Sequence, residues 1–373
     1  MLNYTLITTN EALAECCLVA SRVTAVALDT EFVRTRTYYP GPGLIQLFDG
    51  EHISLIDPLT ITEWAPFRHL LANHNITKFL HAASEDLELF LHEFGLLPEP
   101  MIDTQILAAF NGRPLSCGFA TLVESFTGIV LDKSESRTDW LARPLTEKQC
   151  QYAAADVWYL LPIAHSLIKE AQASGSLGSA LNECELLCVR RQRIVEPGEA
   201  WRDITNAWQL RPRQLAALRL LAAWRLELAR EKDMAVNFVV REENLWKVAR
   251  FMPGTLGELD HLGLSGQEIR LHGKTLVAMV NEANALDESQ LPAALNNLID
   301  HPGYKQIFKS LKGLVVEVAE KKGISPELLA SRRQINQLLS WHWALKPCDN
   351  RPELLDGWRG ELLQNGIREI LPE

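Results

Sequence analysis

The feature that most constrains this chain is a change of patterning near residue 197. Before it, short apolar runs of strand type alternate with amphipathic helical periods; after it, strand signals all but vanish and helical periods take over. Such a chain builds one α/β unit followed by helical units, rather than a single sheet or a single bundle. A length of 373 residues allows two or three domains. Pro/Gly punctuation at Pro253-Gly254, Pro292 and Pro302-Gly303 divides the helical half. We therefore expect an α/β domain over 1–196 and helical domains over 197–292 and 293–373.

Val26-Ala27-Leu28 reads as a buried strand ending at Asp29-Thr30-Glu31. Leu44–Phe48 and His52–Ile56 flank Asp49-Gly50, a hairpin signal. Thr77–Leu80 reads as a strand, and Ser84 as the cap of a helix with apolar face Leu87, Phe90, Leu91 and Phe94. A later helix opens with the capping box Thr146-x-x-Gln149 and is expected to kink or end at Pro162. Hairpin strands mixed with strand–helix alternation predict a mixed sheet. In the helical half, Ala217, Leu221, Trp224 and Leu228 step by 4, 3 and 4, and Phe308, Leu311, Val315 and Val318 by 3, 4 and 3. Glu231-Lys232 recurs 89 residues later as Glu320-Lys321, and an Arg-rich helix follows each, which suggests a duplicated module.

Charge is unevenly spread. Residues 1–190 carry 12 Lys+Arg against 23 Asp+Glu, while the remainder is nearly neutral and the whole sums to −10. Acid concentrated in the α/β half repels phosphate unless some carboxylates hold divalent cations. No apolar run approaches the roughly 18 residues that span a bilayer, and the N-terminus lacks a signal-peptide pattern, so no membrane partner is expected. Seven cysteines, Cys348 among them, form no CxxC pair, which argues against a disulfide framework or zinc site and for a reducing, cytoplasmic setting. No coiled-coil seam or long apolar edge stands out, and a monomer is expected.

Three acidic segments belong together. In Asp29-Thr30-Glu31 the carboxylates lie one strand period apart and point to one side. Asp86 lies in the first turn of the helix after Thr77–Leu80. Tyr152 and Asp156, four apart, share a helix face, and Ala153, Ala154 and Ala155 between them let that helix approach a sheet. Taken singly, these read equally as a turn residue, a helix-dipole acid, a buried phenol and a solvated acid. Taken together, four carboxylates and a phenol suit two-metal phosphoryl hydrolysis, in which hard cations about 3.5–4 Å apart take oxygen ligands.

Leu28-Asp29-Thr30-Glu31-Phe32, Leu80-His81-Ala82-Ala83-Ser84-Glu85-Asp86-Leu87 and Tyr152-Ala153-Ala154-Ala155-Asp156 resemble, in that order, the three motifs of the DEDD exonuclease superfamily. Position 151 is Gln where the histidine subtype would carry His, so the chain is similar to the tyrosine subtype. Phe32 to Pro40, Gly43 to Leu47, and Leu131 to Trp140 with Arg143-Pro144-Leu145 resemble the ribonuclease D family more narrowly. The segments from about 211 and about 300 resemble paired HRDC domains.

The resemblance implies a ribonuclease H-like mixed sheet with flanking helices, followed by two all-α HRDC-like domains. It implies Asp29, Glu31, Asp86 and Asp156 as ligands of two divalent cations, Mg²⁺ or Mn²⁺, with Tyr152 positioning the attacking water. The implied activity is a 3′→5′ exoribonuclease that acts on RNA with a free 3′ end, releases 5′-mononucleotides, and trims transfer RNA precursors and other small structured RNAs. Tyr38, Tyr39, Lys133, Arg137, Trp140 and Arg143 are candidate phosphate and base contacts, each read equally as a surface charge or core aromatic. His81 reads as structural rather than as a ligand. Gly273-Lys274-Thr275 lacks the upstream glycine of a P-loop. Two alternatives stand beside this reading: a nucleic-acid-binding module with vestigial hydrolysis, and an exonuclease acting on DNA.

Overall fold

The computed structural model describes residues 1–345 and 351–372, so Cys348 lies outside the described residues. Six strands, β1 (Thr5–Ile7), β2 (Ala25–Val33), β3 (Gly41–Phe48), β4 (Ile53–Ile56), β5 (Thr77–Leu80) and β6 (Met101–Asp103), form one mixed sheet in the order β1-β4-β3-β2-β5-β6. β2 lies inside it, antiparallel to β3 and parallel to β5. The β3–β4 hairpin turns at Asp49-Gly50 as read, with the Asp49 carboxylate accepting from the Glu51 and His52 N–H groups.

β2 does not end at Asp29–Glu31 but runs on to Val33, because β3 extends back to Gly41 and pairs with it; the register shifts between Glu31 and Phe32. Side-chain alternation then sorts the strand. Val26 and Leu28 join a core on one face with α1 (Asn10–Ala20), α2 (Ala65–Ala72) and α3 (Ser84–Phe94). Ala27 faces the other way, toward α4 (Thr104–Phe110), α5 (Phe119–Thr127) and α6 (Glu147–Ser174). The capping box at Thr146 and Gln149 opens α6 as expected. Pro162 neither ends nor divides this helix. Its missing N–H orphans only the carbonyl of solvent-facing Trp158, and Leu160, Leu161, Ile163, Ala164 and Leu167 are buried around it.

α7 (Leu177–Gln192) leads out of this part, and no strand follows β6 among the described residues. A long helix, a four-residue helix and a helix of ten or eleven residues then occur twice. The first set is α8 (Pro212–Glu231), α9 (Val236–Val239) and α10 (Glu242–Phe251). After α11 (Leu256–His261) and α12 (Gly266–Ala285) comes the second: α13 (Tyr304–Lys322), α14 (Pro326–Leu329) and α15 (Arg332–His342), with α16 (Gly357–Ile370) last. Gly273 sits inside α12, where a Cβ would fall 2.8 Å from Leu256 Cδ2; it marks close helix packing, not a phosphate loop.

The two helical sets are held differently. α8 to α12 enclose a core of their own, against which Tyr38 packs. α13 to α16 share the core on the α6 side of the sheet. At that seam Glu183 of α7 is buried and accepts from Trp358 Nε1 at 3.1 Å and from Arg359, whose other nitrogens donate to the Leu328 and Leu329 carbonyls. A buried carboxylate with this many donors fixes the last helix against α7. No described helix is long and apolar enough to cross a membrane.

Candidate active site

Strand period places Asp29 and Glu31 on the α6 face of β2, and helical period places Tyr152 and Asp156 on the side of α6 that meets it. Ala153 and Ala154 are fully buried and let the helix approach closely. As a result, one carboxylate oxygen each from Asp29, Glu31 and Asp156 lie within 4.8 Å of one another. Asp86 is not part of that triad. It reaches the site from the opposite face, where Thr30, whose side chain alternates away from Asp29 and Glu31, donates its hydroxyl to the Asp86 carboxylate. Its charge still reaches Asp29 and Glu31.

The electrostatics are unfavourable as they stand. Burial, then the Asp156, Asp86 and Glu31 charges, hold Asp29 well above the usual carboxylate range. Burial, Asp156 and Asp86 push Glu31 up to about 9. Burial lifts Asp156 to about 8, and it lifts Asp86 to about 6 against the Thr30 hydrogen bond, which favours the ionised form. Burial, with Asp156, Glu31 and Asp29, also drives the Tyr152 phenol upward. Gln46 stands opposite Asp29 in the β2–β3 register, fully buried, and neither its Nε2 nor its Oε1 has a hydrogen-bond partner. Clustered hard oxygens of one charge, beside an orphaned buried amide, fit a hydrated divalent cation.

The turn that delivers Asp86 is held from a distance. Ala83, not Ser84, is the N-cap of α3, and it makes no side-chain cap. The buried Asp103 carboxylate braces the turn that leads into the helix, accepting from Ala82 N–H at 3.0 Å and Ala83 N–H at 2.9 Å, with Ala82 at φ 54°. His81 beside it is held between the Thr104 hydroxyl and the Cys117 carbonyl, with both ring nitrogens engaged. It is structural, as read.

The six candidate substrate contacts fall into three groups. Trp140 and Arg143 are corrected. Trp140 is 1% exposed and wedged against Gly43, where a Cβ would fall 2.6 Å from the Trp140 Cβ, so no base can stack on it. Arg143 forms a fork to Asp57, both bonds 2.7 Å, and donates to the Trp140, Ala142 and Gly43 carbonyls. Its donors are spent on clamping the Trp140 loop to the sheet. Tyr38 and Tyr39 pack edge to face; Tyr38 meets Arg230 of α8, Asp233 accepts from both backbone N–H groups, and Tyr39 stacks on His92. Lys133 and Arg137 are exposed and form no ion pair among the described residues.

Lys148, Gln151, Tyr152 and Asp156 line a cavity of about 240 Å³ with Asp132 and Glu135. Lys148 lies one helical turn before Tyr152, and that spacing of four is the sequence signal for its place here.

Removing the Arg143 clamp is expected to cost about 3 kcal/mol, because Asp57 is then left buried and unpaired. Burial alone would raise the Asp57 pKa, but the hydrogen bonds from Arg143 and Leu59 outweigh it and lower the value. With the folded pKa depressed, this contribution is present in full at neutral pH and is lost as pH falls below about 4. Thermal melting of Arg143→Ala against wild type at neutral and acid pH checks this: the gap should close on acidification, and a gap that persists unchanged contradicts it.

A mixed sheet whose inner strand presents two carboxylates to a third on a crossing helix has the acid cluster of a metal-dependent hydrolase. The comparisons agree. A 3′-5′ exonuclease family model matches residues 4–172, an HRDC domain model residues 214–280, and a ribonuclease D C-terminal HRDC model residues 302–367. Ribonuclease D of Cronobacter turicensis is 68% identical over 366 residues, covering 98% of this chain and 99% of that one. Ribonuclease D of Escherichia coli K12 is 65% identical, covering 100% and 99%. The crystal structure of Escherichia coli RNase D, described as an exoribonuclease involved in structured RNA processing, superposes with a TM-score of 0.98 over 99% of each chain. The chain belongs to the ribonuclease D family and is a hydrolytic 3′→5′ exoribonuclease.

Proposed function

We propose that Asp29, Glu31, Asp86 and Asp156 hold two divalent cations, Mg²⁺ or Mn²⁺, and that the chain removes nucleotides one at a time from RNA 3′ ends as 5′-mononucleotides. The carboxylate triad on β2 and α6 is the observation that carries this reading. Bound there, divalent cations supply the Lewis acidity that activates water and offsets charge on the scissile phosphate. The protein supplies the rest. Four carboxylates on three elements would hold the cations, and only through them would the scissile phosphate be placed. The Tyr152 hydroxyl, its pKa raised, stays protonated at neutral pH and so orients the attacking water by hydrogen bonding rather than removing its proton. Residues 1–196 form the catalytic unit in this account. In this reading the substrates are transfer RNA precursors and other small structured RNAs, as the family resemblance implies and in keeping with the structured RNA processing named for the Escherichia coli relative, and the chain works as a cytoplasmic monomer.

The test uses a 5′-labelled transfer RNA precursor with a short 3′ extension, incubated with Mg²⁺, with chelator, and with the Asp29→Asn variant. A ladder shortening from the 3′ end by single nucleotides, lost in both controls, is the expected result. Intact RNA under all three conditions, with only a salt-sensitive gel shift, would replace the enzyme by a binding module. In the same assay Tyr152→Phe should lower kcat by about a hundredfold and leave KM nearly unchanged; an unaltered kcat removes Tyr152 from the mechanism.

A further inference from the structure

The helical half carries a groove that the hydrolytic site does not use. A cavity of about 780 Å³ lies between the segment preceding α8 and helix α15, lined by Arg202, Trp208, Asn297, Arg332, Arg333 and Trp341 among others. Trp208 and Trp341 are 42% and 39% exposed, unusual for the largest apolar side chain. Arg332 and Arg333 are exposed and make no ion pair among the described residues, although the chain as a whole is acidic.

The groove is not isolated. Arg333 and Gln337 also line a second groove, of about 530 Å³, that reaches Ser84. In it Arg190 is paired with Glu183 and Glu353, and Arg191 with Glu88, so that Arg193 and Arg333 are the exposed arginines without an ion pair among the described residues. Through Arg333 and Gln337 the two grooves form one track from the exposed tryptophans to the N-terminal turn of α3.

We propose that this track binds the single-stranded part of an RNA substrate lying 5′ of the nucleotide being removed, with bases stacking on Trp208 and Trp341 and phosphates meeting Arg332 and Arg333. Aromatic faces and a basic path are the two elements that single-stranded nucleic acid requires, whatever its sequence. The proposal rests on the exoribonuclease reading above and specifies where that enzyme grips its substrate.

Two measurements on the full-length protein test it. The first is fluorescence anisotropy of a labelled RNA of about 20 nucleotides in chelator, over a range of salt. The Arg332→Glu/Arg333→Glu double variant should bind about tenfold more weakly, with the slope of log affinity on log salt shallower by about 1.4, the value for two lost single-strand phosphate contacts. Trp341→Ala should weaken binding about tenfold and leave the slope in place. The second measurement is the ratio of kcat/KM for that RNA to kcat/KM for one of about four nucleotides; in each variant it should fall about tenfold. Unchanged affinity, or equal slowing on both lengths, overturns the proposal. Failure of the wild type to hydrolyse either length would instead overturn the exonuclease reading, so the two failures are distinguishable.

Discussion

Asp156→Ala is expected to lose at least about a thousandfold in RNA hydrolysis, roughly 4 kcal/mol of barrier, while its affinity for RNA in the absence of metal changes little. The carboxylate is one of three whose oxygens converge within 4.8 Å, and no fourth acid joins that cluster among the described residues. A metal position that loses a ligand of this kind loses both water activation and charge compensation at the phosphate. The variant has a second, opposite signature. Without cations the wild-type cluster must either take up protons or hold like charges in a poorly solvated cleft, and removing one carboxylate relieves that cost. Metal-free Asp156→Ala should therefore melt at or above the temperature of metal-free wild type. Single-turnover cleavage, anisotropy in chelator and thermal melting check the three parts. Wild-type cleavage rates in this variant would remove Asp156 from the site, and a large fall in metal-free melting temperature would assign it a structural role.

Chelation should have the next largest effect, and its size should depend on pH. Glu31 at about 9, Asp156 at about 8 and Asp86 at about 6 all lie above the values these groups have in an unfolded chain. Raised folded pKa values mean that the native state holds protons more tightly. The stability they contribute is therefore present below about pH 4 and is lost as pH rises toward about 9. Cations that take the place of those protons reverse the loss, and their uptake releases protons. Free metal at a hundred times its Kd adds about 2.7 kcal/mol. The rise in melting temperature on adding Mg²⁺ or Mn²⁺ should accordingly grow from pH 5 to pH 8, and chelation should abolish hydrolysis throughout. A metal-induced rise that is the same at both pH values would mean that the cluster does not exchange protons for metal.

What could be read in the sequence was local. The Asp49-Gly50 hairpin, the Thr146–Gln149 capping box and the strand and helix periods that bring Asp29, Glu31 and Asp156 together are each written within a few residues. The readings that needed correction depend on partners far along the chain. Ser84 looks like a cap, but Asp103 from β6 holds the turn before it, so Ser84 is not needed there. Arg143 looks like a phosphate ligand until Asp57 engages it from 86 residues away. Trp140 looks available for stacking until Gly43 opens the space that buries it. Pro162 looks like a helix end, yet the core packed around its neighbours outweighs the one hydrogen bond it removes. Asp86 was found, but not the face from which it enters, which depends on Thr30 pointing away from its two acidic neighbours.

The central claim, that these four carboxylates form a two-cation hydrolytic site, is tested most directly by anomalous diffraction from crystals soaked in Mn²⁺ together with a 5′-mononucleotide. Two peaks about 3.5–4 Å apart, bounded by Asp29, Glu31, Asp86 and Asp156, with the nucleotide phosphate against them, are the predicted result. An empty cleft at saturating Mn²⁺, or peaks that none of these carboxylates contacts, would contradict it.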